Sequence, residues 1–352
     1  MSPTNIVRDS RVLIQNKLIP SVPRKWQEQF SFGIKAYTLQ TFQSATSNAR
    51  RVVANPNTAA RKSERLFANT KLAAQFGAVF DTLQLVKPAS YINVDHSDMH
   101  GLTALVGAVQ TRNGRAIPCF VETTYALHIP AHEDASPRWK RLRQDMHRAR
   151  RQQSFTGHTI DALQDFADRL GFWPKLVFDR GFGNESIVEH LATAGATFYV
   201  RLKAGRYVEL DGQRTEVKQL RDNDATISLY GLCLRVVRSP KSRRAQEPWY
   251  ILTNDMASSR NKVVKIYYHR FEIEETFKDL KHVFEFHHVR LTKPSSLKVL
   301  LWLIFLGIAL LYKTTKPTKS RLQSHPKKRI SWIRRALEQL HQAYGLVLWG
   351  EG

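Results

Sequence analysis

Cysteine is almost missing from this chain: Cys119 and Cys233 are the only two in 352 residues, far apart and in unlike surroundings. Two such residues build neither a disulfide framework nor a cysteine-based zinc site, and their scarcity fits a reducing compartment. The first twenty residues, MSPTNIVRDSRVLIQNKLIP, lack the long apolar core and small-residue cleavage site of a secretory leader, so the expectation is a cytoplasmic protein. No hydrophobic run is long enough for a membrane span. The longest, Val299–Tyr312, is 14 residues, where a span needs about 18 or more, so it is expected to be a buried core helix with no membrane partner. Acidic residues are also in short supply. There are 30 Asp and Glu against 54 Lys and Arg, a net charge of +24 and an isoelectric point near 10.2. An excess of that size on a folded chain calls for a polyanionic partner, nucleic acid before an anionic membrane surface. Internal repeats and long low-complexity stretches are absent too.

What is present reads as globular: 42% hydrophobic and 10% aromatic residues, in a chain long enough for two domains or one large elaborated one. Residues 1–88 read as mostly helical, with 13 Lys and Arg against 4 Asp and Glu. Two basic helical stretches there, SNARRVVA and TAARKSERLFAN, flank a turn at Asn55-Pro56-Asn57, with Thr58 expected as the cap of the second. A helix–turn–helix-like DNA-binding module and a solvated basic bundle are equally open readings of that stretch.

From residue 89 the period changes to that of strands. ASYINVDHSD, LTALVGAVQT and AIPCFVETTY are three β-rich runs, with Asn113-Gly114 as a hairpin signal between the last two. A basic helical segment, Arg138 to Arg151, comes next, and a helix ends at Gly171. A short buried strand then stops at Asp179, followed by a helix capped by Asn184 and a further strand, TFYVRLK. Short β-runs fill 203–253, and helices resume after them. The expected fold class is α/β: a mixed sheet flanked by helices (89–202 and 254–313), an inserted β-rich subdomain (203–253), a helical N-terminal domain (1–88) and a basic C-terminal tail (314–352).

Three carboxylates stand out by placement: Asp95 at the end of the first strand, Asp179 at the end of the fourth, and Glu274 on the helix after the β-insertion. Strand carboxyl ends are where α/β layers gather ligands and catalytic groups. Two Asp and one Glu supply the oxygen ligands that Mg²⁺ prefers, and a pair of such ions serves phosphodiester chemistry. The stretch Tyr267–Lys281, YYHRFEIEETFKDLK, sets Tyr267, Arg270, Glu274 and Lys281 at offsets 0, 3, 7 and 14. On one continuous helix these fall within an arc of roughly 60°. Taken alone, Glu274 there reads as half of a surface ion pair with Arg270. Asp98 competes with Asp95 as first acid, and His96, Asp98 and His100 suggest either a metal cluster or solvent-facing polarity.

The spacing Tyr267-x2-Arg270-x3-Glu274-x6-Lys281 resembles the signature of a large group of bacterial insertion-sequence DDE transposases. Asp95 in VDHSD and Asp179 in FDRGF resemble that family's first two catalytic acids, and the separations of 84 and 95 residues suit an RNase H-like core with an inserted β-subdomain. The resemblance implies a cut-and-paste transposase in which Asp95, Asp179 and Glu274 bind two Mg²⁺, with Mn²⁺ as substitute. It implies that Tyr267, Arg270 and Lys281 hold DNA phosphates and the displaced nucleotide. Trp249, in PWYILTN, resembles the residue on which a flipped base stacks. Implied partners are terminal inverted repeats, target DNA and a second copy of the chain, in the nucleoid of a bacterial cytoplasm. The alternatives are a catalytically silent DNA-binding descendant and an RNase H-like nuclease.

Overall fold

The computed structural model describes residues 3–38, 45–99, 101–126, 137–152, 154–240, 247–286, 289, 291–315 and 331–337. His100 and most of the basic segment drawn at 314–352 lie outside them. Helices α1 (Pro3–Leu13), α2 (Gln27–Tyr37), α3 (Ala45–Arg50), α4 (Pro56–Ala68), α5 (Thr70–Ala73) and α6 (Phe76–Asp81) come first. Strands β1 (Tyr91–Met99), β2 (Leu102–Val109) and β3 (Ile117–Tyr125) follow, then α7 (Pro137–Gln152), α8 (Phe155–Leu170), β4 (Lys175–Phe178), α9 (Glu185–Thr193) and β5 (Phe198–Leu202). The short strands are β6 (Tyr207–Leu210), β7 (Gln213–Glu216), β8 (Asp224–Leu229), β9 (Leu232–Arg238) and β10 (Tyr250–Thr253). Helices α10 (Arg260–Tyr268), α11 (Phe271–His282) and α12 (Pro294–Thr315) close the series.

The protein is mixed α/β. Its strands hydrogen-bond in the order β3-β2-β1-β4-β5-β10-β9-β8-β6-β7. Pairing is parallel at β1–β4 and β4–β5 and antiparallel at β2–β3 and β5–β10. The β-runs of 203–253 continue this sheet past β5, because β10 takes up the edge that β5 would otherwise leave open. The chain forms two compact units, one of Met1–Leu85, His96–Gln152 and Ile273–Gly352, the other of Val86–Asp95 and Gln153–Glu272. Strand β1 begins in the second unit and ends in the first.

The first unit is built on α12. This helix is long and apolar enough to cross a membrane by length and composition alone, yet it is buried from Val299 to Leu311, as a core helix is expected to be. Each Leu, Ile or Phe so buried contributes about 1.5–3 kcal/mol relative to exposure. Phe80 packs on Trp302 with ring centroids 5.8 Å apart. Thr38 Oγ1 donates to the Leu303 carbonyl at 3.0 Å, and Ser296 Oγ to that of Phe67 at 3.1 Å. At Gly33 on α2, a Cβ would meet Leu66 Cδ2 at 3.1 Å and Leu303 Cδ2 at 3.3 Å, so the glycine permits the close approach of three helices. The N-cap of α4 falls three residues earlier than expected. Asn55, not Thr58, is the N-cap, accepting the Thr58 N–H at 3.1 Å, because Pro56 suits the first helical position.

In the second unit Val177, Tyr199, Val237 and Ile251 of the sheet pack against Val263, Ile266 and Tyr267 of α10. Ser154 caps α8 and Asn184 caps α9 through side-chain oxygens. Gly171, at φ +74°, ends α8 in the left-handed conformation that glycine adopts without steric cost. Arg235 is pinned by Asp224, through Nε at 2.6 Å and Nη2 at 2.5 Å, and by the carbonyl of Ser258 at 2.6 Å.

Candidate active site

The site begins with strand alternation. Asn93 and Asp95 share one face of β1, and Ile92 and Val94 the other. In the parallel pairing Asn93 stands opposite Val177 and Val94 opposite Phe178. Val177 in turn stands opposite Tyr199, and Phe178 opposite Val200. Asp179 keeps an extended backbone at φ −77° and ψ 172°, so the register carries one step further. Extending the register one step past the last paired residues aligns Asp95 with Asp179 and Asp179 with Arg201, on strands spaced about 4.8 Å apart. Their row lies on the face that α10 covers, since Val177 and Tyr199 of the preceding row pack against Tyr267. Asp95 and Asp179 are both half-buried.

Arg270 completes the cluster. Its Nη1 donates to Asp95 Oδ2 at 3.2 Å, and the arginine side chain is 4% exposed against 22% for the aspartate. The guanidinium carbon lies 4.9 Å from the Phe271 ring centre and 5.9 Å from that of Tyr267, within cation–π range. Tyr267 is fully buried. Burial pushes its phenol well above the ordinary range; Arg270 and Arg201 pull it down and Asp179 pushes it up. Trp249 stands on Tyr267 at 5.4 Å, edge to face, and on Phe271 at 5.5 Å. Its backbone N–H donates to Ser239 Oγ at 2.8 Å.

The helix expected from Tyr267 to Lys281 is two helices. α10 stops at Tyr268 and α11 starts at Phe271, with His269 and Arg270 in a turn between them. The cause is Asn93, fully buried, whose Nδ2 donates to the His269 carbonyl at 2.9 Å. That carbonyl also accepts the Glu272 N–H at 3.1 Å, three residues on, and Arg270 N bonds the Tyr267 carbonyl at 2.9 Å. A side chain inserted into the ladder tightens and breaks it. The signature residues therefore do not share one helical face: Tyr267 lies on α10, Arg270 in the turn, Glu274 and Lys281 on α11.

The second unit thus gathers Asp95, Asp179, Tyr267, Arg270 and Trp249, whereas Glu274, half-buried, and Lys281, exposed, belong to the first unit. Tyr267 and Arg270, expected to hold phosphates, are both buried. Asp98 is exposed and accepts a hydrogen bond from Thr103 Oγ1; three residues from Asp95, it alternates to the other face. Among the described residues, no group of three or more His, Cys, Asp or Glu is placed to hold a metal ion. Asp95, expected to end its strand, stands mid-strand, because β1 runs on to Met99, whereas Asp179 directly follows β4; the two half-buried carboxylates still offer the oxygen donors that Mg²⁺ prefers. Two cavities of about 740 and 580 Å³ in the same unit lie around Arg206 and Tyr230 and include none of these residues.

Sequence reasoning missed Asn93 and Arg201. Arg201 was visible as the second residue after Tyr199 on an alternating strand. Asn93 had one signal, a polar residue inside the apolar run YINV.

Residues 138–310 match the family model described as the transposase DDE domain. That span takes in Asp179, Trp249, Tyr267, Arg270, Glu274 and Lys281 and starts after Asp95. The match covers a little under half of the chain. No curated protein matches the chain. Among solved structures the chain is similar to the cryo-EM structure of a piggyBac transposase synaptic complex with hairpin DNA, with a TM-score of 0.44 and 12% identity. That likeness covers 97% of this chain and 77% of the other.

Proposed function

We propose that the chain is the transposase of a bacterial insertion sequence, of the group with the Tyr-x2-Arg-x3-Glu-x6-Lys signature, and that it moves its element by cut and paste. The observation that carries this reading is the parallel pairing of β1 with β4 up to Val94 and Phe178, the residues just before Asp95 and Asp179, with Arg270 of the signature hydrogen-bonded to Asp95. Mixed pairing, with Asp95 just past the parallel pairing of β1 with β4 and Asp179 at the end of β4, supports an RNase H-like core, extended by the strands of 203–253. Asp95, Asp179 and Glu274 would hold the divalent metal, two Mg²⁺ per site or Mn²⁺ in their place, and the bound metal would supply activation of a water and stabilisation of the leaving oxygen of a phosphodiester.

The chain's own residues do the rest. Arg201 and Arg270 offset the charge of the paired acids. Tyr267 is kept protonated by burial, with Asp179 among the charges that act on it. Trp249 offers a ring face to an unpaired base, as aromatic side chains do for extruded nucleotides. Lys281, exposed, meets phosphate, and Arg270 suits bidentate phosphate contact. The 3′-hydroxyl released at the element's end attacks the opposite strand to form a hairpin, which is reopened before strand transfer. Residues 1–88 recognise the terminal inverted repeats. Two copies assemble on DNA in the bacterial cytoplasm, each acting on the end bound by the other.

A plasmid carrying the element's inverted repeats tests this. The unaltered protein is expected to nick it only with Mg²⁺ or Mn²⁺ and then to join the free 3′-hydroxyl to target DNA; Asp179→Ala is expected to be inactive. The Arg270–Asp95 ion pair also suits a catalytically silent DNA-binding descendant, and absence of nicking by the unaltered protein establishes that reading instead. Cutting without joining identifies a nuclease.

A further inference from the structure

The geometry points to a resident-cation device at Asp95: Arg270 occupies this carboxylate, and a divalent ion binds there only as the guanidinium leaves. The inference rests on the reading of Asp95 as a metal ligand and assigns Asn93 and Arg270 a part in that site.

Arg270 is held onto Asp95 from three sides. Its guanidinium donates to Asp95 Oδ2 at 3.2 Å with only 4% of its side chain exposed, so the cost of drying the cation is offset by that carboxylate. The rings of Phe271 and Tyr267 lie beside the cation. The backbone is also fixed. Asn93, on the same strand as Asp95 and two residues before it, takes the His269 carbonyl at 2.9 Å and sets the turn from which Arg270 projects. One strand therefore carries both the carboxylate and the residue that positions the arginine against it. In an unbroken helix each residue turns by about 100°, and Arg270 would leave this direction.

A guanidinium and a divalent ion cannot both sit on one carboxylate without like charges at about 4 Å. The acceptor that draws Arg270 away must match its fork of N–H donors; a phosphodiester does, and the polyanionic partner of a +24 chain supplies it. Loading of metal and binding of DNA are then coupled, each strengthening the other by the same factor. Arg270 and Asn93 are positioning residues in this scheme; neither needs to touch the scissile bond.

The test is Mn²⁺ alone, titrated into the full chain and followed by the electron paramagnetic resonance signal of free Mn²⁺, without DNA. Arg270→Gln is expected to bind Mn²⁺ about tenfold more tightly than the unaltered protein, in the range of allosteric coupling. Arg270→Lys, which keeps a cation, is expected to stay near the unaltered value. Asn93→Ala is expected to fall between them. A DNA duplex is expected to tighten Mn²⁺ binding by the unaltered protein and not by Arg270→Gln. Asp95→Asn in the Arg270→Gln background is expected to abolish the gain. Equal affinities in the unaltered and Arg270→Gln proteins, both lost with Asp95→Asn, overturn the device and leave the metal-ligand reading standing. Tight binding by Arg270→Gln that ignores Asp95→Asn overturns both. If Arg270→Gln fails to fold, as circular dichroism reports, the Asn93→Ala and Arg270→Lys comparison decides alone: equal affinity in those two overturns the device.

Discussion

Asp255 and Asp95 are two carboxylates of one unit held in opposite ways. Asp255 accepts the Tyr199 hydroxyl at 2.5 Å and the backbone N–H groups of Ala257 and Ser258 at 3.1 and 3.0 Å. Burial works against its charged form, yet the hydrogen bonds from Ser258 and Tyr199 outweigh it and bring the carboxyl down to about 2. A carboxylate lowered on folding lends stability that is complete above its unfolded value, about 4, and that disappears as the pH falls toward 2. Tyr199→Phe removes one donor. Acid unfolding followed by circular dichroism is expected to shift to higher pH, with about 1 kcal/mol lost at neutral pH. Asp95 instead meets a cation, the Arg270 guanidinium, at 3.2 Å.

At the scale of elements, what could be foreseen and what could not divide along one physical line. The position of Asp179 just after β4 was legible because it ends an apolar run, whereas β1, expected to stop at Asp95, runs on to Met99 because pairing with a neighbouring strand lies outside any window of sequence. α12 was legible because 14 unbroken apolar residues leave no polar face to solvate. The break between α10 and α11 was not, since the group that causes it, Asn93, lies 176 residues away and the local sequence YYHRFEIEE is helical throughout. The joining of the 203–253 strands to β5 was hidden for the same reason: edge pairing depends on a partner strand that no window of sequence contains. The weight carried by α12 can be measured. Phe305 is fully buried and packs on Trp302 at 6.4 Å, so Phe305→Ala is expected to cost about 3–5 kcal/mol in urea unfolding. A loss under about 1 kcal/mol would show that the helix is less central than its burial indicates.

Over the whole molecule the basic excess is spread, with the helical residues 1–88, the Arg138–Arg151 segment on α7 and the stretch after Phe286 all rich in Lys and Arg. Such a surface neutralises many phosphates, and each releases counterions, so duplex affinity falls steeply with salt. Fluorescence anisotropy is expected to show a loss of about 10³-fold or more between 50 and 200 mM salt, as for six or more phosphate contacts. A flat profile would remove the electrostatic basis of the DNA reading. The arrangement of the first unit also bears on how the chain is made. Thr38 and Leu303, hydrogen-bonded to each other, are 265 residues apart, and a ribosome adding about 5–20 residues per second needs roughly 13–50 s to travel between them. Through that interval α2 and α4 stand outside the exit tunnel with their apolar faces waiting for α12. The nascent chain is therefore a long-lived client for chaperones, and interrupted translation before residue 294 leaves a product that cannot close its own core.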